Sequence, residues 1–394
     1  MNDQLFPEPG LIILFGSGEM SPTGRKIFEH VILSLPKSPR LALLETPAGF
    51  ELNSHQVINR VGDFFTHRLQ NYSPKVEIIP ARKRGTHFSP DNPEIVAPLL
   101  NADLIFMGPG SPSYAIRQLR DSLAWYYLIA RHRLGAALAL ASAATVAFSA
   151  CALPVYEIYK VGEDVHWNEG LDFFQLYGLQ LVFIPHWNNH EGGAELDTSR
   201  CFMGQERFAR LIDMLPDEMT IIGLDEKTAL VMDPSKCECS VSGLGKVTLI
   251  HTGHKHTHNN YLHPTTGITE NFKGTEDNLA EITKQRGGHA HLYLDGQKFP
   301  MSEIGSFHPY HPEASLPPSI WQQALQANEL LKQEKFSAPS EDVLQLIHAR
   351  DETRKHKDWI GADELRKQIE KLGWELSDTK DGPVLRKLSV QDSN

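Results

Sequence analysis

Short apolar runs recur through the first part of the chain, and each run ends in a loop of small or polar residues. The runs lie at 11–15, 41–44, 76–79, 104–107 and 136–141. Continuous apolar runs of this length are typical of strands buried on both faces, and helical patterns separate most of them. Strands that alternate with helices predict an α/β fold, in which a doubly wound, mostly parallel sheet has helices on both faces.

Small or polar turns follow three of these strands, at residues 16–19, at residues 108–111 and at Ser142. Ligands of open parallel sheets bind beyond the carboxyl ends of the strands, so a site is predicted at this edge. The Gly16-x-Gly18 loop lacks the third glycine of a dinucleotide fingerprint. We therefore expect no nucleotide and no other cofactor.

Residues 135–151 (GAALALASAATVAFSAC) predict a buried strand, a sharp turn at Ser142 and a helix of small residues. A serine on a strand-to-helix turn is the arrangement of a nucleophile elbow, which exposes Oγ and directs nearby backbone N–H groups toward a developing oxyanion. The usual pattern is G-x-S-x-G, and here Leu140 and Ala144 replace the glycines. A plain core strand and helix, with Ser142 as a small filler, is the alternative interpretation. The alanine content and polar residues disfavour a membrane span.

Serine hydrolysis also needs a base within hydrogen-bond reach and an acid that orients the base. His186 follows another apolar run and is the candidate base. The alternating segment 155–161 (VYEIYKV) predicts a strand, and Asp164 or Glu163 lies just beyond it. Ser142, Asp164 and His186 would then meet at one edge of the sheet as nucleophile, acid and base, with Glu163 as the alternative acid.

The backbone N–H groups of Ala143 and Gly110 are the expected donors to the oxyanion. A glutamine amidotransferase would carry a cysteine at the elbow, but Cys151 lies about two helical turns beyond Ser142. The pattern therefore favours a serine hydrolase.

The rest of the first domain shows two further patterns. Residues 198–215 form an amphipathic helical pattern that carries several arginines, and short alternating runs between 220 and 251 predict antiparallel strands that close the domain. Five histidines lie between His251 and His263. Dense imidazoles can bind zinc or nickel, but no cysteine or carboxylate is spaced to complete a site. We expect a solvated loop and no metal.

Composition is ordinary for a soluble globular protein. The formal net charge of −11 disfavours a general binder of the nucleic-acid backbone. The four cysteines are few and lack the spacing of a disulfide scaffold, which fits a reducing compartment. The acidic N-terminus and the short apolar run after it do not resemble a signal peptide. These features predict a cytoplasmic protein with no membrane partner.

A composition change near the end of the chain divides it into two predicted domains. The proline-rich segment 311–318 predicts a linker between a domain of residues 1–310 and a helical module of residues 319–394. The module shows three helical patterns, and Asp381-Gly382 predicts the turn of a hairpin.

Four motifs resemble the peptidase family of cyanophycinase and α-aspartyl dipeptidase (dipeptidase E). The segment 135–147 resembles the GSSAGA and WSAGA turns of these enzymes, and 105–111 (IFMGPGS) resembles their FVGGGN loop. Residues 185–187 (PHW) are similar to the Pro-His-Phe of the dipeptidase, and 223–229 (GLDEKTA) resemble Gly-x-Asp-Glu-x-Thr-Ala. The resemblance covers about residues 10–310. It implies the class I glutamine-amidotransferase-like, flavodoxin-like fold.

The resemblance also implies the roles of individual residues. Ser142 would be the nucleophile, His186 the base, and Asp164 the acid by position. An acidic side chain on the substrate would be bound by arginines, for which Arg207 and Arg210 are the candidates.

A second resemblance covers residues 346–387, which look like the C-terminal helical module of cysteinyl-tRNA synthetase. The matching motifs include HAR at 348–350, KDW at 357–359 and ADELR at 362–366. In the synthetase this module helps to read the anticodon end of tRNA, so tRNA is an implied partner. A docking module or a homodimerising module is an equal alternative.

These observations predict a cytoplasmic serine hydrolase that cleaves a peptide or an isopeptide-like small amide. Because the glycines are missing beside Ser142, a catalytically inactive relative that serves as a binding or scaffold module is the alternative. A third hypothesis is a tRNA-linked hydrolase whose tail delivers an aminoacyl or peptidyl conjugate.

Overall fold

The computed structural model describes residues 8–253, 289–308, 316–337, 339–379 and 382–387. The chain divides into two compact units, Met1–Leu325 and Gln326–Asn394, and the division falls within a helix, Pro318–Ser337. Most of the predicted linker lies outside the described residues.

The first unit contains strands and helices that alternate over the first half of the chain. Its strands are β1 (Ile12–Phe15), β2 (Arg40–Leu44), β3 (Lys75–Ile79), β4 (Leu104–Met107), β5 (Ala137–Ala141), β6 (Cys151–Ala152), β7 (Asn168–Glu169), β8 (Leu181–Ile184), β9 (Thr220–Leu224), β10 (Thr228–Asp233), β11 (Glu238–Gly243), β12 (Lys246–His251), β13 (His289–Leu294) and β14 (Lys298–Pro300). Its helices are α1 (Pro22–Ile32), α2 (Ser54–Arg68), α3 (Pro93–Val96), α4 (Pro112–Leu119), α5 (Leu123–Arg133), α6 (Ala143–Ala147), α7 (Gly204–Met214) and the first part of α8 (Pro318–Ser337).

The largest sheet has eight strands in the order β14-β11-β10-β1-β5-β4-β2-β3. The five strands from β1 to β3 in this order pair in parallel, whereas β10, β11 and β14 extend the sheet antiparallel. This confirms the mixed α/β fold with a large sheet. A second sheet has the order β13-β12-β9-β8, in which β8 and β9 are parallel neighbours. The carboxyl ends of β8 and β9 therefore lie side by side.

Alternate residues of the central strands point into two separate apolar cores. Ile13, Phe15 and Phe106 pack on one face with the apolar side of α1 and α2, and Leu14 and Leu140 pack on the other face. Both faces of the parallel strands are thus covered, which explains why these strands are continuous apolar runs in the sequence.

The prediction of a strand over residues 155–161 is wrong. Residues Glu157–Val161 form a π-helical turn, and Gly162 ends it in the left-handed conformation with φ of 86°. Val155 and Ile158 are the buried apolar side chains of this segment, and they lie three positions apart as a helical turn requires. The segment consequently does not carry Asp164 to the carboxyl edge of a strand.

The second unit contains the remainder of α8, two further helices, α9 (Glu341–Lys355) and α10 (Trp359–Lys371), and a hairpin of β15 (Trp374–Thr379) and β16 (Gly382–Lys387). Its small core consists of Val343, Ile369, Trp374 and Leu376. The buried guanidinium of Arg350 donates two hydrogen bonds to the carboxylate of Asp378, at 3.1 and 2.7 Å. This charge-assisted pair joins α9 to the hairpin.

Within the described part of the chain, every helix is too short or too polar to cross a bilayer.

Candidate active site

Ser142 lies on a strained turn between β5 and α6. Its φ of 52° and ψ of −111° are unusual for a residue other than glycine. Such strain persists where the surrounding structure imposes it, and it is typical of a nucleophile elbow. Leu140 and Ala144, which replace the usual glycines, are completely buried in the core. The side chain of Leu140 therefore packs within the core on one face of the sheet, and the chain accommodates both departures.

The Ser142 hydroxyl faces the imidazole of His186, with 3.0 Å between Oγ and Nε2. His186 follows β8, has a φ of 49°, and donates its backbone N–H to Gly16 O at 3.1 Å. A serine and a histidine that are 44 positions apart are thus within hydrogen-bond distance. The distance fits a nucleophile and its base.

The carboxylate beside His186 belongs to Glu226, which follows β9. Its Oε1 lies 3.0 Å from His186 Nδ1 and accepts a second hydrogen bond from Asn189 Nδ2 at 2.9 Å. The backbone N–H of Glu226 donates to Asn188 Oδ1 at 2.8 Å. The pKa of Glu226 is lowered to about 2, and the hydrogen bond from His186 is the largest cause. The hydrogen bond from Asn189 and the positive charge of Lys227 lower the pKa further, whereas partial burial of the carboxylate raises it. Glu226 is therefore ionised at neutral pH.

Asp164 and Glu163, the acids predicted for this position, lie elsewhere. Both are exposed, and the ring nitrogens of His166 lie 2.8 Å from the backbone O of Asp164 and 3.8 Å from Glu163 Oε2. The expectation that Asp164 orients His186 is corrected to Glu226, because the strand that was to carry Asp164 is a helical turn.

Glu226 was missed although its segment, 223–229, was singled out as a match to the peptidases. The signal that would have found it is the parallel pairing of β8 with β9, since that pairing places residues after both strands together. Gly223 supports this placement. A Cβ at that position would lie 2.4 Å from the ring of Trp187, the residue after His186.

The backbone N–H groups of Gly110 and Ala143, predicted as oxyanion donors, have no acceptor among the described residues. Ala143 is the first residue of α6, where the N–H cannot bond within the helix. Gly110 has a φ of 150°, and a Cβ there would lie 2.0 Å from Pro47 O, so only glycine fits the loop.

Three consecutive left-handed residues hold the backbone around His186. Arg200, Cys201 and Phe202 have φ of 58°, 58° and 68°, so the helix predicted over 198–215 begins only at Gly204. The Cys201 N–H donates to His186 O at 3.2 Å, and the Arg200 N–H donates to Trp187 O at 2.9 Å. Left-handed conformations are costly for residues with a Cβ. This strained turn thus fixes the loop that carries the imidazole.

Cys201 is close to the site, and its thiol is buried. Burial, together with the charge of Glu226, raises the pKa of its thiol to about 12. A thiol with so high a pKa stays neutral at neutral pH, and a neutral thiol is a poor nucleophile.

The two arginines predicted to bind substrate differ in their surroundings. Arg207 donates to Met203 O at 2.8 Å and to Phe202 O at 3.1 Å, so its guanidinium supports the left-handed turn. Arg210 is exposed on α7.

No set of three or more histidine, cysteine, aspartate or glutamate side chains among the described residues is arranged to hold a metal ion. Most of the histidine-rich segment that ends at His263 lies outside the described residues.

Comparisons with known proteins give similarity in fold and in one short segment. No family model matches the chain. The crystal structure of a peptidase from an acI-B1 actinobacterium covers 75% of this chain and 98% of its own, with 20% identity and a TM-score of 0.53. The structure of a provisionally assigned peptidase E from Listeria monocytogenes EGD-e covers 60% of this chain and 100% of its own, with 14% identity and a TM-score of 0.41. The likeness to the first structure shows a shared fold. The TM-score of the second structure is too low to support an argument.

Two cysteine–tRNA ligases match the chain over short segments. The ligase of Methanosarcina mazei is 44% identical over 46 residues, which is 12% of this chain and 10% of the ligase. The ligase of Chlamydia felis is 40% identical over 57 residues, or 14% of this chain and 12% of the ligase. The chain thus spans about a tenth of the length of these relatives, and the matches support a segment similar to cysteine–tRNA ligase.

Proposed function

We propose that this protein is a serine hydrolase of the peptidase type, which cleaves a peptide or an isopeptide-like amide. The observation that carries the proposal is the chain of contacts from Ser142 Oγ through the His186 imidazole to the Glu226 carboxylate, with 3.0 Å at each step. A fold shared with a solved peptidase adds support.

The contacts define a path for the proton. Ser142 Oγ attacks the amide carbon while His186 Nε2 accepts its proton, and the Glu226 carboxylate stabilises the imidazolium that forms. The carbonyl oxygen becomes an oxyanion, to which the N–H groups of Gly110 and Ala143 donate. His186 then returns the proton to the leaving amine as the amide bond breaks. Water deprotonated by His186 attacks the resulting ester and releases the acid, which regenerates the Ser142 hydroxyl.

A fluorophosphonate probe tests the proposal, because it reacts with an activated serine. The protein should be labelled, and Ser142→Ala should abolish labelling. Ser113→Ala is the matched control, since the Ser113 hydroxyl accepts from Asn168 Nδ2 at 3.4 Å and has no imidazole partner among the described residues. No labelling of the wild-type protein beside a reactive control hydrolase would favour the inactive binding module. Labelling that survives in Ser142→Ala would show that another residue reacts and would refute the role of Ser142.

The short matches to cysteine–tRNA ligases favour a second candidate function, in which the same chain binds tRNA and acts on a tRNA-linked substrate. Filter retention of tRNA by the full-length protein at low and moderate salt tests this. Contacts to phosphates predict affinity that falls steeply with salt, and retention at neither salt concentration would refute the tRNA link.

A further inference from the structure

Asn189 connects the loop that carries His186 to the carboxylate of Glu226. The residue is 1% exposed, and its backbone N–H donates to His186 O at 3.1 Å. Its side-chain Nδ2 donates to Glu226 Oε1 at 2.9 Å. The same carboxylate oxygen lies 3.0 Å from His186 Nδ1. The Asn189 amide and the His186 imidazole therefore meet at a single oxygen atom of Glu226.

The orientation of the Asn189 amide is fixed by a second hydrogen bond. Its Oδ1 accepts from the backbone N–H of Glu191 at 3.1 Å. An amide carries its acceptor and its donors on opposite branches, so this bond directs the NH₂ group toward Glu226. In the flipped amide, the oxygen would face the Glu226 carboxylate and the NH₂ group would face the N–H of Glu191. The fold of the loop thus presents a donor, and not an acceptor, to Glu226.

Glu226 has conformational freedom that this donor can remove. Its side chain is 33% exposed, and the several rotatable bonds of a glutamate allow the carboxylate to turn toward solvent. Asn188 Oδ1 accepts from the backbone N–H of Glu226 at 2.8 Å, which holds the main chain and leaves the side chain free to rotate. Asn189 binds the carboxylate itself. Two consecutive asparagines thus hold Glu226 at its backbone and at its charged end.

The loop has a brace of its own that does not involve the Asn189 amide. The Thr198 hydroxyl donates to Asn189 O at 3.5 Å and accepts from the N–H of Gly192 at 3.0 Å. Among the described residues, the Nδ2 group of Asn189 has Glu226 as its acceptor. The hydrogen bond from His186 and, after it, that from Asn189 lower the pKa of Glu226, so both donors favour the ionised carboxylate. The side chain of Asn189 is therefore directed at the acid and not only at the loop.

We propose that Asn189 is a positioning residue that acts through Glu226, by holding the carboxylate where it accepts the hydrogen bond from His186 Nδ1. The inference rests on the proposed hydrolase function of Ser142. A fixed acceptor at Nδ1 keeps the imidazole turned so that Nε2 faces the Ser142 hydroxyl, and it stabilises the imidazolium that forms during acylation. Without the Asn189 donor, the carboxylate spends part of its time turned toward solvent, and acylation slows.

A double-mutant cycle with Glu226→Ala tests the inference. It measures the maximal rate of labelling by a fluorophosphonate probe (kinact) and the probe concentration that gives half this rate (KI). Asn189→Ala alone should lower kinact roughly 10-fold, the low end of the contribution of a hydrogen bond to a charged group, and leave KI unchanged. In the Glu226→Ala background the same substitution should change kinact by less than about twofold, because the group through which Asn189 acts is absent.

Two outcomes of the cycle would overturn the inference. One is an equal fall of kinact in both backgrounds, which is expected of a residue that only braces the loop, and the other is an unchanged kinact in Asn189→Ala. Asn189→Asp is a second variant, which keeps the acceptor for the N–H of Glu191 but has no donor when ionised, so kinact should fall at least as far. Asn92→Ala is the matched control and should be labelled as the wild type is. The Asn92 amide also joins two backbone groups, the N–H of Glu94 at 3.1 Å and His87 O at 2.8 Å, in the loop after β3.

A measurement without turnover separates this inference from the hydrolase proposal. The proton between His186 Nδ1 and Glu226 should give a downfield ¹H NMR resonance, which is assigned by its absence in His186→Ala. In Asn189→Ala and Asn189→Asp this proton should exchange with solvent faster than in the wild type, and Asn92→Ala should leave it unchanged. Faster exchange in a protein that the probe does not label would contradict the hydrolase function and support the positioning role. An unchanged resonance in both Asn189 variants would overturn the positioning role even if Ser142 reacts. Thermal unfolding of each variant verifies that it is folded.

Discussion

Replacement of Glu226 by glutamine tests which carboxylate orients His186. Glu226 Oε1 accepts from both His186 Nδ1 and Asn189 Nδ2. A glutamine can place its carbonyl oxygen at the same point and keep both hydrogen bonds, and its NH₂ group then replaces Oε2. The substitution thus removes the charge while it preserves the orientation of the ring.

The negative charge of Glu226 determines how far the rate of acylation should fall when it is removed. The side chain of Glu226 is 33% exposed and that of His186 is 17% exposed, so the pair lies between the protein surface and the interior. For charges about 4 Å apart, an effective dielectric constant of about 40 gives an attraction of about 2 kcal/mol. Since each 1.36 kcal/mol corresponds to a factor of ten, Glu226→Gln should slow acylation by roughly 30-fold.

The assay is the rate at which a fluorophosphonate probe labels the protein, with Asp164→Asn as the control. Glu226→Ala should be labelled more slowly than Glu226→Gln, because in the alanine variant the imidazole loses its hydrogen-bond acceptor as well as the nearby charge. Asp164→Asn should label at the wild-type rate, because Asp164 is exposed and contacts His166. If Asp164→Asn is labelled slowly and Glu226→Gln is labelled at the wild-type rate, the assignment of Glu226 as the acid is refuted.

Three further predictions concern stability. Leu140→Ala should lower the free energy of unfolding by about 2 to 5 kcal/mol, because Leu140 is 0% exposed, whereas Leu140→Met should cost less than about 1.5 kcal/mol; denaturant titration measures both. Asp378→Asn should destabilise the second unit by roughly 1 to 3 kcal/mol, because it leaves the buried Arg350 with a weakened partner; hydrogen exchange of α9 reports this, and unchanged protection would contradict it. The pKa of Glu226 is lowered from 4.5 to about 2, so its ionised form stabilises the fold above pH 4.5 and this contribution is lost as the pH falls toward 2. After a discount for exposure the contribution is about 1 kcal/mol, and Glu226→Gln should flatten the pH dependence of unfolding in that window.

The sequence predicts those parts of the site that depend on single strands. Each apolar run ends where a polar turn begins, and this pattern identified Ser142 and His186 as residues that follow buried strands. The expected single sheet edge is wrong, because Ser142 follows β5 of the eight-stranded sheet and His186 follows β8 of the second sheet. It also identified the loop that contains Gly110. Local patterns suffice here because a parallel strand and the turn after it are contiguous in the chain.

The position of Glu226 depends instead on which strands are neighbours. The second sheet pairs β8 with β9, and no local pattern in either strand specifies that pairing. The error at 155–161 has a different cause. Tyr156 and Tyr159 make the segment look alternating, although the buried positions, Val155 and Ile158, are three residues apart. An exposed Tyr156 and a half-buried Tyr159 on a helical turn thus imitated the periodicity of a strand.

Trapping of the acyl-enzyme tests whether Ser142 forms a covalent intermediate with the help of His186. The protein is mixed with an activated 4-nitrophenyl ester, quenched in acid and digested, and the modified peptide is identified by mass spectrometry. We expect a burst of 4-nitrophenol and an acyl group on Ser142, with both lost in His186→Ala. A protein that forms no adduct under conditions that acylate a control serine hydrolase, or one acylated at another residue with Ser142 unmodified, would contradict this expectation.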